Sequence, residues 1–290
     1  MVIKNAYTGK INLYSDKDIS DVYTSSKNRE LNEYDFYNLL TKDSKSLENL
    51  ISSKPKNELK SKIASLNNKY NSKINNLENE DFYTDNQSTT WAYFMPKNNT
   101  NLVDKIKDED LSYSNKLYLK YDLDDMLDKQ EDYLEFTEKL YQNLFKENII
   151  HQGKMKKSFI KKANYHTQYS KSKDAMIFYI NNKKGYFKEF EKVFKKTMKE
   201  MDFNPQLTFS EVGRDFYKKD QNDEEKEIGF SYNEVISKNL SKCYDKDKSI
   251  FNFKNKENFS KWLNYRTDEI RTKIWNKSVD FKKWGDINVI

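Results

Sequence analysis

In the middle of the chain the apolar residues change period several times. From Lys116 to Tyr121 they alternate as in a strand. From Asp128 to Glu147, Tyr133, Phe136, Leu140 and Leu144 recur at helical spacing. Gly153 to Ile160 alternates again, and Ala175 to Ile180 is apolar enough to read as a buried strand. Gly185 to Met201 carries Phe187, Phe190, Phe194, Met198 and Met201 as a helical stripe, and Gln206 to Phe209 reads as a further strand. The order βαββαβ predicts an α+β fold around a split βαβ, ferredoxin-like antiparallel sheet.

The flanks are more helical. The first thirty residues are polar and broken, with a short hairpin around Thr8-Gly9-Lys10, and a helix follows from about Asn32 to Leu40. Pro55 opens a helix with Leu59, Ile63, Leu66, Tyr70, Ile74 and Leu77 on one stripe, and Trp91 to Met95 reads as a strand stopped by Pro96. Beyond the βαββαβ run, Asp220 to Glu227 reads as a charged loop and Ser231 as the cap of a helix through Leu240. A long helix is expected from Glu257 to Trp275, with Phe259, Trp262, Leu263, Ile270 and Ile274 inward. Residues 1–90 are thus expected to form a mainly helical N-terminal extension, and residues 91–290 one α+β domain ending in helices.

Composition adds limits. With 36% hydrophobic residues in 290, the core must lean on its 21 Tyr and 18 Phe. The net charge of +6 is mild, and the basic residues are nearly all lysine, the arginines being Arg29, Arg214, Arg266 and Arg271. A lysine excess of this kind follows partly from AT-rich coding, so only its local clustering is informative. The single cysteine, Cys243, excludes an intrachain disulfide and reads as an ordinary thiol. The sequence shows no leader-like apolar region and no membrane-length run, so a soluble, cytoplasmic protein with no membrane partner is the expectation.

Several chemistries are argued down by missing residues. Six glycines cannot supply a Walker loop or a dinucleotide fingerprint, and two histidines fifteen residues apart make a weak zinc site. No cofactor and no metal is expected. Asp122, Asp124, Asp125 and Asp128 cluster after a strand, where capping and dipole complementation account for them better than magnesium does.

Against this background one stretch stands out. From Asn148 to Lys173 the chain has no Asp or Glu, yet it holds both histidines, His151 and His166, and seven lysines. Flanked by regular elements, these lysines would be held at fixed spacing and form a local positive field for an anion. Lys154, Lys156, Ser158 and Ile160 would share one strand face, with Met155, Lys157 and Phe159 on the other. Two lysines in line lower each other's pKa, a route to a neutral lysine base; the bland alternative is an edge strand protected by lysine.

The runs Leu140-Tyr-Gln-Asn-Leu, Asn148-Ile-Ile-His-Gln-Gly-Lys154, Tyr169-Ser-Lys-Ser-Lys-Asp174-Ala-Met-Ile-Phe-Tyr179, Leu207-Thr-Phe-Ser-Glu-Val-Gly213 and Glu227-Ile-Gly229-Phe-Ser resemble the HopA-type type III effector family. The resemblance covers roughly residues 90 to 240. Members of that family accompany a kinase-like partner in class V lanthipeptide biosynthesis. The resemblance implies a cofactor-independent lyase that eliminates phosphate from phosphoserine or phosphothreonine in a precursor peptide, leaving dehydroalanine or dehydrobutyrine. It implies Lys154 or Lys156 as base, His151 or His166 as acid, and Lys171, Lys173 and Arg214 as phosphate ligands. Beside these, Tyr165 and Tyr169 are candidate contacts to the peptide or phosphate, and Asp174 either orients a neighbouring lysine or histidine or caps the strand entry. The family's Arg before Asp174 is absent here, and its Glu-Ser-Phe-Gly turn becomes Glu227-Ile228-Gly229-Phe230.

Two other classes compete. A non-catalytic effector or adaptor could dock a phosphorylated or acidic protein on the same lysines. An RNA-binding module would use a split βαβ sheet with solvent-facing aromatics on its central strands, but arginine is scarce and the characteristic octamer is missing, so nucleic acid is the weaker expectation.

Overall fold

The expected alternation of periods resolves into a mixture of helices and an antiparallel sheet in a computed structural model. It describes Tyr14 and residues 16–41, 56–75, 82–85, 87–88, 91–97, 112–156, 160–162, 169–171, 176–180, 186–220, 223–251, 253–275, 280–283 and 286–288. In chain order, α1 (Asp16–Asn28), α2 (Glu33–Thr41) and α3 (Lys56–Asn75) precede β1 (Phe82–Asp85), β2 (Trp91–Pro96) and β3 (Ser112–Tyr121). Then come α4 (Leu123–Asp128), α5 (Gln130–Lys146), β4 (Ile150–Lys156), β5 (Ile160–Lys162), β6 (Tyr169–Lys171), β7 (Met176–Ile180) and α6 (Tyr186–Glu200). The chain ends with β8 (Leu207–Asp220), β9 (Asp223–Phe230), α7 (Tyr232–Phe251), α8 (Lys256–Trp275), β10 (Asp280–Lys283) and β11 (Asp286–Asn288).

Two compact units share these elements. One spans Ser46–Gly213 with Met1–Ile3; the other comprises Lys4–Lys45 and Arg214–Ile290. The units therefore divide at residues 45 and 213, not near residue 90 as the composition of the flank suggested. The reason is that β1 pairs with β2 and α3, with Leu59, Ile63 and Leu66 buried, packs on the two helices that follow β3, whereas α2 packs on α7.

In the first unit the strand order is β1-β2-β4-β7-β3-β8. The pairs β1/β2, β2/β4, β4/β7 and β7/β3 are all antiparallel. Two strands, β1 and β2, thus extend the sheet beyond the four-strand unit expected. Local chemistry sets the helix boundaries. Asp122 caps α4 by accepting from the Asp124 and Asp125 amides, both at 3.0 Å. Asp125 also accepts from the Tyr133 hydroxyl at 2.5 Å and pairs with Lys129 at 2.8 Å, and Asp128 pairs with Lys62 at 2.7 Å. Asp122, Asp124 and Asp125 thus lie at the helix start as expected, whereas Asp128 ends α4 and ties it to α3.

Helix α5 ends in a tight return. Asn148 takes a left-handed conformation (φ 51°), and the Ile149 amide donates back to Leu144 O at 2.9 Å. Helix α6 ends the same way, with Asp202 at φ 47° and the Phe203 amide donating to Met198 O at 3.1 Å. The first return leads α5 straight into β4. Between the helices, the Asn143 side-chain amide donates to Thr197 Oγ1 and Glu200 Oε2, both at 2.9 Å.

Several boundaries differ from the sequence reading. β4 starts three residues earlier than expected and stops at Lys156; Ile160 belongs to β5, which pairs with β6 instead. The expected charged loop at Asp220 to Glu227 is largely a hairpin, because a high charge density does not prevent a backbone ladder: β8 pairs β9 from Phe216↔Phe230 to Asp220↔Asp223. Helix α1 forms in a segment read as broken. The hairpin expected around Thr8-Gly9-Lys10 lies outside the described residues, as does Leu77.

The second unit is organised by α7 and α8. Ser231 and Glu234 form a reciprocal cap, the Ser231 amide donating to Glu234 Oε2 at 2.7 Å and the Glu234 amide to Ser231 Oγ at 3.3 Å. α7 then runs to Phe251, well past the expected Leu240. Phe36, Tyr244, Phe253, Phe259 and Trp262 form an aromatic core whose ring centroids lie 5.1–6.2 Å apart. Buried Asp247 accepts from Trp262 Nε1 at 2.9 Å and Arg266 Nε at 2.8 Å. Cys243 sits beside this pair, and burial pushes its thiol up to about 11, which fits an inert thiol.

Candidate functional site

Alternation along the strands divides the sheet of the first unit into two faces. The row Phe94, Gly153, Phe178, Leu117 and the row Ala92, Met155, Met176, Leu119 face one side. There Tyr141 of α5 stacks on Phe94 at 4.1 Å and meets Phe178 at 4.9 Å. Gly153 makes this possible: a Cβ at that position would lie 2.2 Å from Tyr141 Cε1. The ring therefore rests on the β4 backbone itself.

The other face carries the row Tyr93, Lys154, Ile177, Tyr118 and the row Gln152, Tyr179, Lys116. Lys120 follows Tyr118 by two residues and shares it. Here ammonium groups lie against rings. Lys154 Nζ is 4.8 Å from the Trp91 ring centroid and 5.7 Å from that of Tyr179. Lys116 Nζ is 5.2 Å from Tyr179 and 5.5 Å from Tyr118. Each such contact is worth about 0.5–1 kcal/mol when exposed and ~2 when desolvated. Tyr179 is thus bracketed by two lysines.

Burial grades across this face. Lys116 and Lys120 retain only 1% and 3% exposure, whereas Trp91, Tyr93, Gln152 and Lys154 are part-exposed. The accessible end is therefore the β2/β4 side. His151 reaches it through an irregularity: the β4/β7 register shifts between Ile150 and Gln152, so two residues of β4 stand where β7 offers Tyr179. The His151 ring lies 5.9 Å from the Tyr179 ring, on the lysine side. Without the bulge, strict alternation would send it toward the helices.

Comparison with family models, with curated proteins and with solved structures finds no match to this chain. The site is therefore described by its own residues.

Of the residues expected from sequence, Lys154 and His151 come together around Tyr179. Lys156 ends β4, its Cα opposite Trp91. Tyr169 and Lys171 lie in β6, opposite Lys162 and Ile160 of β5. Arg214 belongs to the second unit. Tyr165, His166, Lys173 and Asp174 lie outside the described residues. Sequence reasoning missed Lys116, Lys120, Trp91 and Tyr179. Lys116 and Lys120 alternate with apolar residues in a predicted strand, and that spacing was the available signal.

The arrangement offers ammonium donors, an imidazole and flat apolar walls at one edge of a sheet. A lysine ammonium has three N–H donors, so a neighbouring ring face leaves directions for an anion. Among the described residues no group of three or more His, Cys, Asp or Glu could hold a metal ion, and no helix is long and apolar enough to cross a membrane.

Proposed function

We propose that the part-exposed end of the lysine face receives the phosphate of a phosphoserine or phosphothreonine in a precursor peptide, and that the chain eliminates it. A kinase-like protein would supply the phosphorylated peptide. The observation that carries this reading is Lys154 Nζ held between the Trp91 and Tyr179 rings, with His151 against the same tyrosine. The elimination itself rests on the resemblance of the motifs to the HopA-type family.

In the proposed step a base removes the α-proton, and the electron pair forms the Cα=Cβ bond as the Cβ–O bond breaks. Phosphate departs with the bonding electrons of that C–O bond, and an acid protonates it. Ring faces attract the Lys154 ammonium, so this residue suits the departing phosphate better than proton abstraction. That favours Lys156 for the base and His151 for the acid. The lysine field also withdraws charge from the leaving group as it forms.

The test is incubation with phosphoserine and phosphothreonine peptides, reading loss of phosphoric acid by mass spectrometry. Lys154→Ala should lower kcat/KM by about 100-fold or more, since charge stabilisation or proton transfer of this kind contributes at least that much. His151→Asn should lower kcat with little change in peptide binding. A chain that binds the peptides but leaves every one intact would move the conclusion to a non-catalytic phosphoprotein adaptor. The RNA-platform reading is not supported, because Tyr118 and Tyr179 on the central strands are 5% and 6% exposed instead of open for stacking.

A further inference from the structure

The lysine face continues past Lys154 to the edge of the sheet. Tyr93 of β2 stands opposite Lys154 of β4, and β1 pairs with β2 so that Asp85 stands opposite Tyr93 and Tyr83 opposite Met95. Alternation therefore puts Tyr83, Asp85, Tyr93 and Met95 on the same face as Lys154. Tyr83 is 41% exposed, and Tyr93 and Met95 are part-exposed. On their helix side the same two strands bury Phe82, Ala92 and Phe94, so the core is already supplied from that side.

Two observations set these open side chains apart. They are uncommitted: among the described residues neither Tyr83 nor Tyr93 has a hydrogen-bond or ring partner, whereas Tyr118 and Tyr179 further along the face meet lysines. They also form one patch with Trp91, and aromatic residues and Met are the types enriched where proteins bind partners. Asp85 is the one carboxylate that β1, β2 and β4 place on this face, two strands from Lys154. Attraction for an anion is thus concentrated at Lys154 and His151, and the level beside them is apolar.

Spacing decides what fits there. Tyr93 and Met95 lie two residues apart along β2, about 6.8 Å, and an extended peptide repeats its same-side side chains at that interval. A phosphoresidue held at Lys154 therefore sets the side chain two positions away over the Met95–Tyr83 pair. We infer that this pair receives a bulky apolar side chain two positions from the phosphoresidue, and so selects among phosphopeptides. The inference rests on the phosphopeptide reading of Lys154, but it concerns recognition and gives Tyr83 and Met95 no part in the elimination.

The probes are short phosphoserine peptides that carry Leu or Gly two positions before or after the phosphoserine. Elimination is read by mass spectrometry. Binding is read by calorimetry on the phosphonate analogues, whose carbon–phosphorus bond cannot eliminate. Leu at one of the two positions should tighten binding to the full chain by about tenfold over Gly. The Tyr83→Thr/Met95→Thr variant, in which threonine suits a strand and whose fold circular dichroism verifies, should cut that preference to about twofold or less. Met95→Gln carries the same test should the double variant not fold. Elimination without a Leu preference, or an undiminished preference in a folded variant, would overturn the inference alone. Selective binding without elimination would uphold it and overturn the lyase reading. No binding of any phosphopeptide would overturn both, as would tighter binding of single-stranded oligouridylate, the behaviour of a stacking platform for RNA.

Discussion

The two faces of the first unit's sheet are made from the same strands, one residue apart, and they handle aromatic rings in opposite ways. On the helix side, Tyr141 lies flat on Gly153 between Phe94 and Phe178, and ring meets ring. On the other side the rings of Trp91, Tyr118 and Tyr179 meet lysine ammonium groups. The first arrangement excludes water from a core; the second holds charge at set positions near an accessible edge. Since a shift of one residue exchanges the faces, the register of β4 decides both the packing and the candidate chemistry.

The contrast is tested most strongly by truncating one member of each face. Phe178→Ala removes a fully buried ring that touches Tyr141 and Phe190 at 4.9 and 5.2 Å, and should cost about 3–5 kcal/mol in chemical denaturation. Lys154→Ala, one residue row away, should cost only about 1 kcal/mol while removing the phosphopeptide activity. Equal losses of stability would mean that Lys154 is chiefly a packing residue.

A smaller effect is expected where the helix makes closest contact with the sheet. Gly153→Ala places a methyl group 2.2 Å from Tyr141 Cε1, and should destabilise the fold by about 1–3 kcal/mol through overpacking. Tyr141→Leu vacates that space. The double variant should therefore lose less stability than the sum of the two single changes, a coupling that a denaturation cycle measures. Strict additivity would show that the ring does not rest on β4.

Much of this division was legible in the residues. The stripe Tyr133, Phe136, Leu140, Leu144 is buried as expected, and Lys154 and Met155 fall on opposite faces because alternation fixes them. The α+β class and the central run of elements followed from the same periods. The lysine face as a whole was not legible, for two physical reasons. Pairing between distant strands, which sets Lys116 beside Tyr179 and Lys154, leaves no trace in local spacing. The bulge at His151 breaks the alternation, and nothing in Ile150-His151-Gln152 announces it. Unit boundaries were hidden similarly, since α2 and α7 lie nearly two hundred positions apart in sequence yet pack together.

The smallest effect concerns alkali, and it separates a buried phenol from an accessible one. Burial holds the Tyr141 hydroxyl well above the usual phenol range, with the charge of Tyr121 adding to the effect, and burial raises Tyr121 likewise. A tyrosine in the unfolded chain ionises near pH 10, whereas these two keep their protons in the fold. The folded state then binds more protons than the unfolded one, so this part of the stability is intact below about pH 10 and falls as pH rises beyond it. In Tyr141→Phe one such group is gone. The hydroxyl's own bond to Lys154 O is long, at 3.4 Å, so stability at neutral pH should change little. The difference between variant and parent cancels the lysines that titrate in the same range, and above about pH 10 it should show the variant losing stability less steeply. Identical slopes would place the Tyr141 hydroxyl in water, and with it would go the flat contact on Gly153 that distinguishes the helix side from the lysine side.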